Sequence, residues 1–150
     1  MTDAGGARFA IAVARFYGDI ADRLVAGAME VFEAARLAVD VHDVPGAFEL
    51  PLAARLCADS GRYAGVACLG CVVRGETDHY EYVCAEAAHG VSAVGLESRV
   101  PCAFGVLTVE TREQALERSG GGKRHAGREA AEAVVQMAEL RRSLETPPVE

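Results

Sequence analysis

Four short apolar runs punctuate the chain: FAIAVARF (Phe9 to Phe16), LAVDVHDV (Leu37 to Val44), GVACLGCVV (Gly65 to Val73) and CAFGVLTV (Cys102 to Val109). Runs of this length read as strands. The second alternates apolar and polar positions, as a half-buried or edge strand does. The third is apolar almost throughout and is bounded by Gly61 and Arg74-Gly75, which predicts a central parallel strand covered on both faces. The first and fourth read as buried strands. Between the first two, Ile20, Leu24, Ala28, Val31 and Ala35 recur at steps of three and four, the period of one helical face, with Asp19 placed to cap it. Pro45 and Gly46 stop the second strand, and Pro51 suits the first turn of a helix running to about Ser60. Val83, Ala87, Val91 and Val94 mark a third helix that ends before Pro101. Thr111 with Gln114 forms a capping-box signature for the short helix REQALERS. SGGGKRHAG then interrupts, and Ala131, Val134, Val135 and Ala138 share one face of a last helix before the frayed TPPVE.

Strands alternating with helices predict an α/β fold, a four-stranded parallel sheet flanked by helices on both faces, because each parallel crossover needs a returning helix. Ligands in such folds collect outside the carboxyl ends of the strands. The residues to inspect are therefore Phe16-Tyr17, Pro45 to Glu49, Arg74 to His79 and Thr108 to Thr111.

Composition narrows the function. The 150 residues, 51% hydrophobic and 25% charged, fit one globular domain over 1–150, with disorder expected at about 1–8 and about 145–150. No apolar stretch is long enough to cross a bilayer, and MTDAGGARF lacks the layout of a signal peptide, so the expected location is cytoplasmic, with no membrane partner. A net charge of -7, from 22 acidic and 15 basic residues, argues against a general grip on nucleic acid. Five cysteines, mostly inside apolar runs, read as buried thiols. Cys68 and Cys71 form a C-x-x-C, but residues three apart on a strand point to opposite faces and cannot easily share a zinc ion or a disulfide. Gly70 to Gly75 lacks the Lys and Ser or Thr of a P-loop, and GGGKR follows a helix instead of a strand. His79, His89 and Glu86 do not have the spacing of a zinc helix. No metal and no cofactor is expected.

The turn RGETDHYEYV is more informative. It joins the end of the most apolar strand to a helix that Thr77 or Asp78 can cap, with Glu81 completing a D-x-x-E box. Amides at a helix N-terminus attract phosphate or carboxylate, and Gly75 permits close backbone approach. A histidine in the first turn, His79, suits general acid–base work. Phe16 and Phe48 have plainer readings as core residues, and Glu49 as a favourable charge in the first turn of its helix.

Taken together, VPGAFELPLAARL, LGCVVRGETDHYEYV and VPCAFGVLTVETREQALERSG, in this order and spacing and preceded by ARFYGDIADRLVAGA, resemble the lumazine synthase family of riboflavin biosynthesis, over about Phe9 to Leu140. The resemblance implies a three-layer flavodoxin-like sandwich. It also implies the condensation of 5-amino-6-(D-ribitylamino)uracil with 3,4-dihydroxy-2-butanone 4-phosphate to 6,7-dimethyl-8-ribityllumazine, without metal or organic cofactor. By the same resemblance Phe16 would stack on the pyrimidine, Ala47, Phe48 and Glu49 would line the ribityl side, and Cys71, Val72 and Val73 would offer backbone contacts. Glu76 and Thr77 would present amides to the phosphate, His79 would donate protons, Phe104 would approach from a neighbouring subunit and Arg118 would clamp the phosphate. The chain departs from the family pattern at Ala126, where a lysine is common, and at Tyr17, where an asparagine often follows the phenylalanine; Lys123, Arg124 and His125 are the nearest replacements for the missing cation. The implied assembly is a pentamer, with the unextended SGGGKRHAG segment resembling that of members that build icosahedral shells, and riboflavin synthase is the implied partner enzyme. Two other classes remain open on the residues alone, a shell-forming or binding protein without efficient catalysis and a flavin-carrying electron carrier.

Overall fold

The computed structural model describes residues 7–148. Its elements run β1 (Arg8–Ala14), α1 (Gly18–Ala34), β2 (Ala38–Val44), a single 3-10 turn (Ala47–Glu49), α2 (Leu50–Asp59), β3 (Gly65–Val73), α3 (His79–Ser98), β4 (Cys102–Val109), α4 (Arg112–Glu117) and α5 (Ala126–Glu145). The four strands form one all-parallel sheet in the order β2-β1-β3-β4. None of the described helices is long and apolar enough to cross a membrane.

The period-two alternation of the strands sorts the core into two layers. Phe9, Ile11 and Val13 of β1, with Ala67, Leu69 and Cys71 of β3, pack with α1 and α5 residues such as Leu24, Phe32, Ala131 and Val134. Ala10, Ala12 and Ala14, with Val66 and Cys68, face Leu50, Ala54, Ala87 and Val91 of α2 and α3. Cys68 and Cys71 therefore lie on opposite faces of the sheet, and both are free thiols. On the first face, α1 and α5 approach very closely: a Cβ on Gly127 would collide with the backbone carbonyl of Leu24, and one on Gly27 with the ring of His125. Hydrogen is the only side chain that fits at either point.

Several expectations need correction. β1 ends at Ala14, so Phe16 lies beyond the strand. Asp19 does not cap α1, because Tyr17 occupies that position without a side-chain cap; Asp19 instead pairs with Arg112. The D-x-x-E box at α3 does not form. Asp78 makes no cap bond, Thr77 Oγ1 accepts from the His79 amide at 3.3 Å, and Glu81 is taken by Arg74 at 2.8 Å. β4 is an edge strand, with Phe104 and Thr108 exposed. Arg8, expected in a disordered N-terminus, opens β1, and Glu145 closes α5; residues 1–6 and 149–150 lie outside the described part. At α4 the Thr111 cap does form, the Gln114 amide donating to Thr111 Oγ1 at 3.1 Å, but the return bond shifts by one residue: the Gln114 side-chain oxygen accepts from the amide of Glu110 instead of that of Thr111.

Candidate active site

At the carboxyl ends of β1 and β3 a cavity of about 620 Å³ opens, lined by residues from three separate chain segments. The sheet itself creates it. The β1–β3 ladder stops at the pair Val13–Leu69, whereas the β3–β4 ladder continues to Val73–Val109. β1 ends at Ala14, level with Gly70, so β3 outruns it by three residues, Cys71, Val72 and Val73. The Val66 amide donates to the Pro101 carbonyl and the Arg74 amide to the Val109 carbonyl, both at 2.9 Å, so even-numbered positions turn toward β4. By alternation, the peptide groups of Cys71 and Val73 turn the other way, into the gap β1 leaves. A ligand there meets a row of backbone donors and acceptors, as at the edge of a sheet.

Aromatic side chains close the mouth. Phe16 is 75% exposed and sits edge-to-face with Tyr17, ring centres 4.9 Å apart; Phe48, in the 3-10 turn, is 57% exposed. Neither serves as a core residue. Large apolar rings left in solvent at a cavity rim are surfaces awaiting a partner. Ala47 is buried beneath them, and Glu49 is exposed beside Gly46 at the start of α2. Cys71, Val72, Val73, Gly75, Thr77 and His79 complete the lining on the β3 and α3 side; Glu76 is exposed in the same turn but does not line the cavity. The start of α3 is fixed by Arg74, which reaches Glu81 at 2.8 Å and Glu110 at 2.9 Å and lies over the ring of Tyr80, 4.4 Å from its centre. These exposed pairs are each worth at most about 1 kcal/mol, yet three contacts on one guanidinium specify the geometry of the turn.

Burial, with a smaller contribution from Cys84, pushes the Cys71 thiol up to about 11, and burial also raises Cys68. Both stay protonated at neutral pH, so neither is the thiolate a nucleophilic role requires. The hydroxyl of Tyr80 is raised as well, chiefly by burial. Tyr80, Tyr82 and Val83 are lining residues that sequence reasoning missed. Val83 served with Ala87, Val91 and Val94 to assign α3 and was not read as a wall; Tyr80, one turn before it, extends the same spacing.

Arg118 and Phe104 are not in this cavity. They share a second one of about 350 Å³ along the β4 edge, between β4 and the start of α5, with Thr108, Gln114, Arg124 and Glu129. Phe104 is 39% exposed there. The Arg118 guanidinium donates to the Gln114 carbonyl at 3.2 Å, and its ion-pair partner among the described residues is Glu117, at a distant 3.9 Å. Within one chain, then, His79 and Arg118 do not line a common space. Of the three candidate cations before Ala126, Arg124 alone lines the Arg118 cavity, and it also borders a separate recess that Lys123 and His125 line with Arg23 and Arg128. Among the described residues no group of His, Cys, Asp and Glu side chains is arranged to hold a metal ion.

The parallel sheet, its two helical layers and a cavity at the strand ends define an α/β protein of flavodoxin-like fold. The model of the 6,7-dimethyl-8-ribityllumazine synthase family matches residues 6–142. A protein of Salinibacter ruber named 6,7-dimethyl-8-ribityllumazine synthase is 45% identical over 143 residues, covering 93% of this chain and 92% of its own length. The chain belongs to the 6,7-dimethyl-8-ribityllumazine synthase family, transferases of riboflavin biosynthesis.

Proposed function

We propose that the protein condenses 5-amino-6-(D-ribitylamino)uracil with 3,4-dihydroxy-2-butanone 4-phosphate to 6,7-dimethyl-8-ribityllumazine, releasing phosphate and water, at sites built by two adjacent copies of the chain. The observation that carries this reading is the cavity left where β3 outruns β1, with exposed aromatic rings on one side and the amide-rich start of α3 and His79 on the other. Phe16 stacks on the pyrimidine, and the free peptide groups of Cys71 and Val73, with Val72 between them, read its polar edge. Ala47, Phe48 and Glu49 hold the ribityl chain. The amides of Glu76 and Thr77 meet the phosphate.

The arylamine attacks the ketone, and the resulting carbinolamine loses water to give an imine. Elimination of phosphate then leaves an electrophile on which the second amine closes the ring, with loss of another water. Every step moves a proton, and His79 is the group beside the phosphate end able to do so; such a residue contributes roughly a hundredfold or more. Holding two substrates in register supplies several further kcal/mol, about 7 in favourable cases. No step draws on a cofactor.

Arg118 and Phe104 enter from the neighbouring copy, since the two cavities are separate in one chain. A head-to-tail contact of this kind builds a ring when the rotation between copies closes. A cytoplasmic homo-pentamer, packed further into an icosahedral shell with riboflavin synthase as partner, is the assembly we assign. The test is to mix the protein with both substrates and follow the lumazine chromophore, with light scattering for the assembly. A rate no faster than the uncatalysed condensation would refute the reading.

A further inference from the structure

The Arg118 cavity contains a second guanidinium that the reading above does not use. After α4 the chain doubles back through a tight loop, closed by a bridge between Ser119 and His125. The amides of Lys123 and Arg124 donate to the Glu117 carbonyl at 3.0 and 3.3 Å, and the Ala126 amide donates to the Arg118 carbonyl at 2.9 Å. This clamp sets Arg124 alongside the end of α4 that carries Arg118, and both side chains line the same space. Ala126, 5% exposed, contributes to that lining no more than a methyl group. The charged side chains of the cavity are therefore Arg118, Arg124 and Glu129. Glu129 holds Arg124 in a two-point contact, Nε to one carboxylate oxygen at 3.2 Å and Nη2 to the other. Such a contact orients a planar guanidinium and leaves its Nη1 hydrogens free for a further anion.

We propose that Arg124 is a second anion-binding residue at the phosphate site of Arg118, and that Glu129 both orients it and limits how tightly the anion is held. This rests on the phosphate role proposed for Arg118. Two guanidiniums match the charge of a phosphate monoester, and the carboxylate paired with Arg124 keeps the released inorganic phosphate from being retained. The substrate class served is the phosphorylated ketose, with the same pair holding the leaving phosphate.

The test uses the assembled protein and inorganic phosphate, measured by calorimetric titration and as an inhibitor of lumazine formation. Arg124→Ala is expected to weaken phosphate binding by roughly tenfold, the size of one charge-assisted hydrogen bond at a half-exposed position, and to raise KM for the phosphorylated substrate with little change for the pyrimidine. Glu129→Gln is expected to tighten phosphate binding by about threefold, through loss of a nearby like charge. In the double variant that tightening should vanish, because Glu129 acts through Arg124. A purely structural role for either residue does not produce effects of opposite sign. Arg118→Ala is the control for the underlying reading. If it binds phosphate as the wild type does, the phosphate role of the cavity fails altogether. If it is impaired while Arg124→Ala binds normally, or if Glu129→Gln still tightens binding without Arg124, only the inference about Arg124 and Glu129 is overturned.

Discussion

At the scale of single residues, exposure separates side chains kept for a ligand from those kept for the fold. Phe16 is the clearest candidate for the first kind: three-quarters of its surface is in solvent, and its ring meets that of Tyr17 edge to face. Phe16→Ala should therefore leave stability within about 0.5 kcal/mol of the wild type, as for an ordinary surface change. The loss of a ring–ring contact of about 1 kcal/mol should instead raise KM for the pyrimidine substrate roughly fivefold, with KM for the phosphorylated ketone little altered. Urea denaturation and steady-state kinetics measure the two halves. A core role would reverse the pattern, with stability falling and KM unmoved. The sequence located Phe16, Phe48 and His79 because each follows a strand that an apolar run announces. Its pattern gave no means of telling an exposed ring from a buried one, since exposure depends on where β1 stops relative to β3. Tyr80 and Tyr82 escaped notice for a related reason: their positions on α3 fit an amphipathic helix, and the wall they form exists only once the sheet is assembled.

At the scale of elements, α5 depends on a cap and a close contact that hydropathy does not reveal. His125 caps it with a ring nitrogen: Nδ1 accepts from the Arg128 amide at 3.4 Å while the ring rests against Gly27. Burial, then the fields of Arg128 and Arg23, hold the His125 pKa below its ordinary value of 6.5, opposed by Glu30 and Glu129. The folded state therefore resists a proton that the unfolded chain accepts. Stability should be full above about pH 6.5 and should fall as pH drops below it, through the window between the unfolded and folded values. Thermal unfolding at pH 7.5 and pH 5.5 should show this drop, and His125→Asn, which keeps an N-cap acceptor without a titrating ring, should flatten it. An equal drop in the variant would place the titrating group elsewhere. The contact is tested by Gly127→Ala, whose methyl group would strike the backbone of Leu24 and force α1 and α5 apart. Overpacking of this kind costs about 2 kcal/mol, readable as a lower urea midpoint at unchanged slope. Strand positions were legible because a period of two survives in sequence, and β3 and β4 were located to the residue. Caps were less so: Asp19 and Glu81 fit the pattern of capping residues but are claimed by Arg112 and Arg74, partners distant in sequence or facing another element. That β4 lies at an edge was hidden by its apolarity, which in an isolated chain resembles the burial of a central strand.

At the scale of the whole molecule, the separation of the two cavities carries the strongest consequence. His79 lines the space at the ends of β1 and β3, and Arg118 lines the space along β4. The motifs that hold them were readable in the sequence, but their placement on different faces of one chain was not, because no spacing along a chain states which copy a side chain serves. If each site takes His79 from one copy and Arg118 from the next, two inactive variants can repair one another. His79→Asn alone should slow turnover by roughly a hundredfold, as expected for a lost general acid–base group. Arg118→Ala alone should raise KM for the phosphorylated substrate by about tenfold or more, through loss of a charge-assisted phosphate contact. In a mixed ring formed by co-refolding the two, a boundary is intact when the copy supplying the histidine carries only the Arg118 change and its neighbour carries only the His79 change. Random mixing makes about a quarter of the boundaries intact in a head-to-tail ring. At low substrate concentration, where the two parents keep about a hundredth and about a tenth of wild-type activity or less, the mixture should rise to about that fraction of wild-type activity or above, while each variant refolded alone stays at its own residual rate. A mixture that stays at the average of its two parents, in rings shown by labelled subunits to have exchanged, would mean that each site is completed within a single chain.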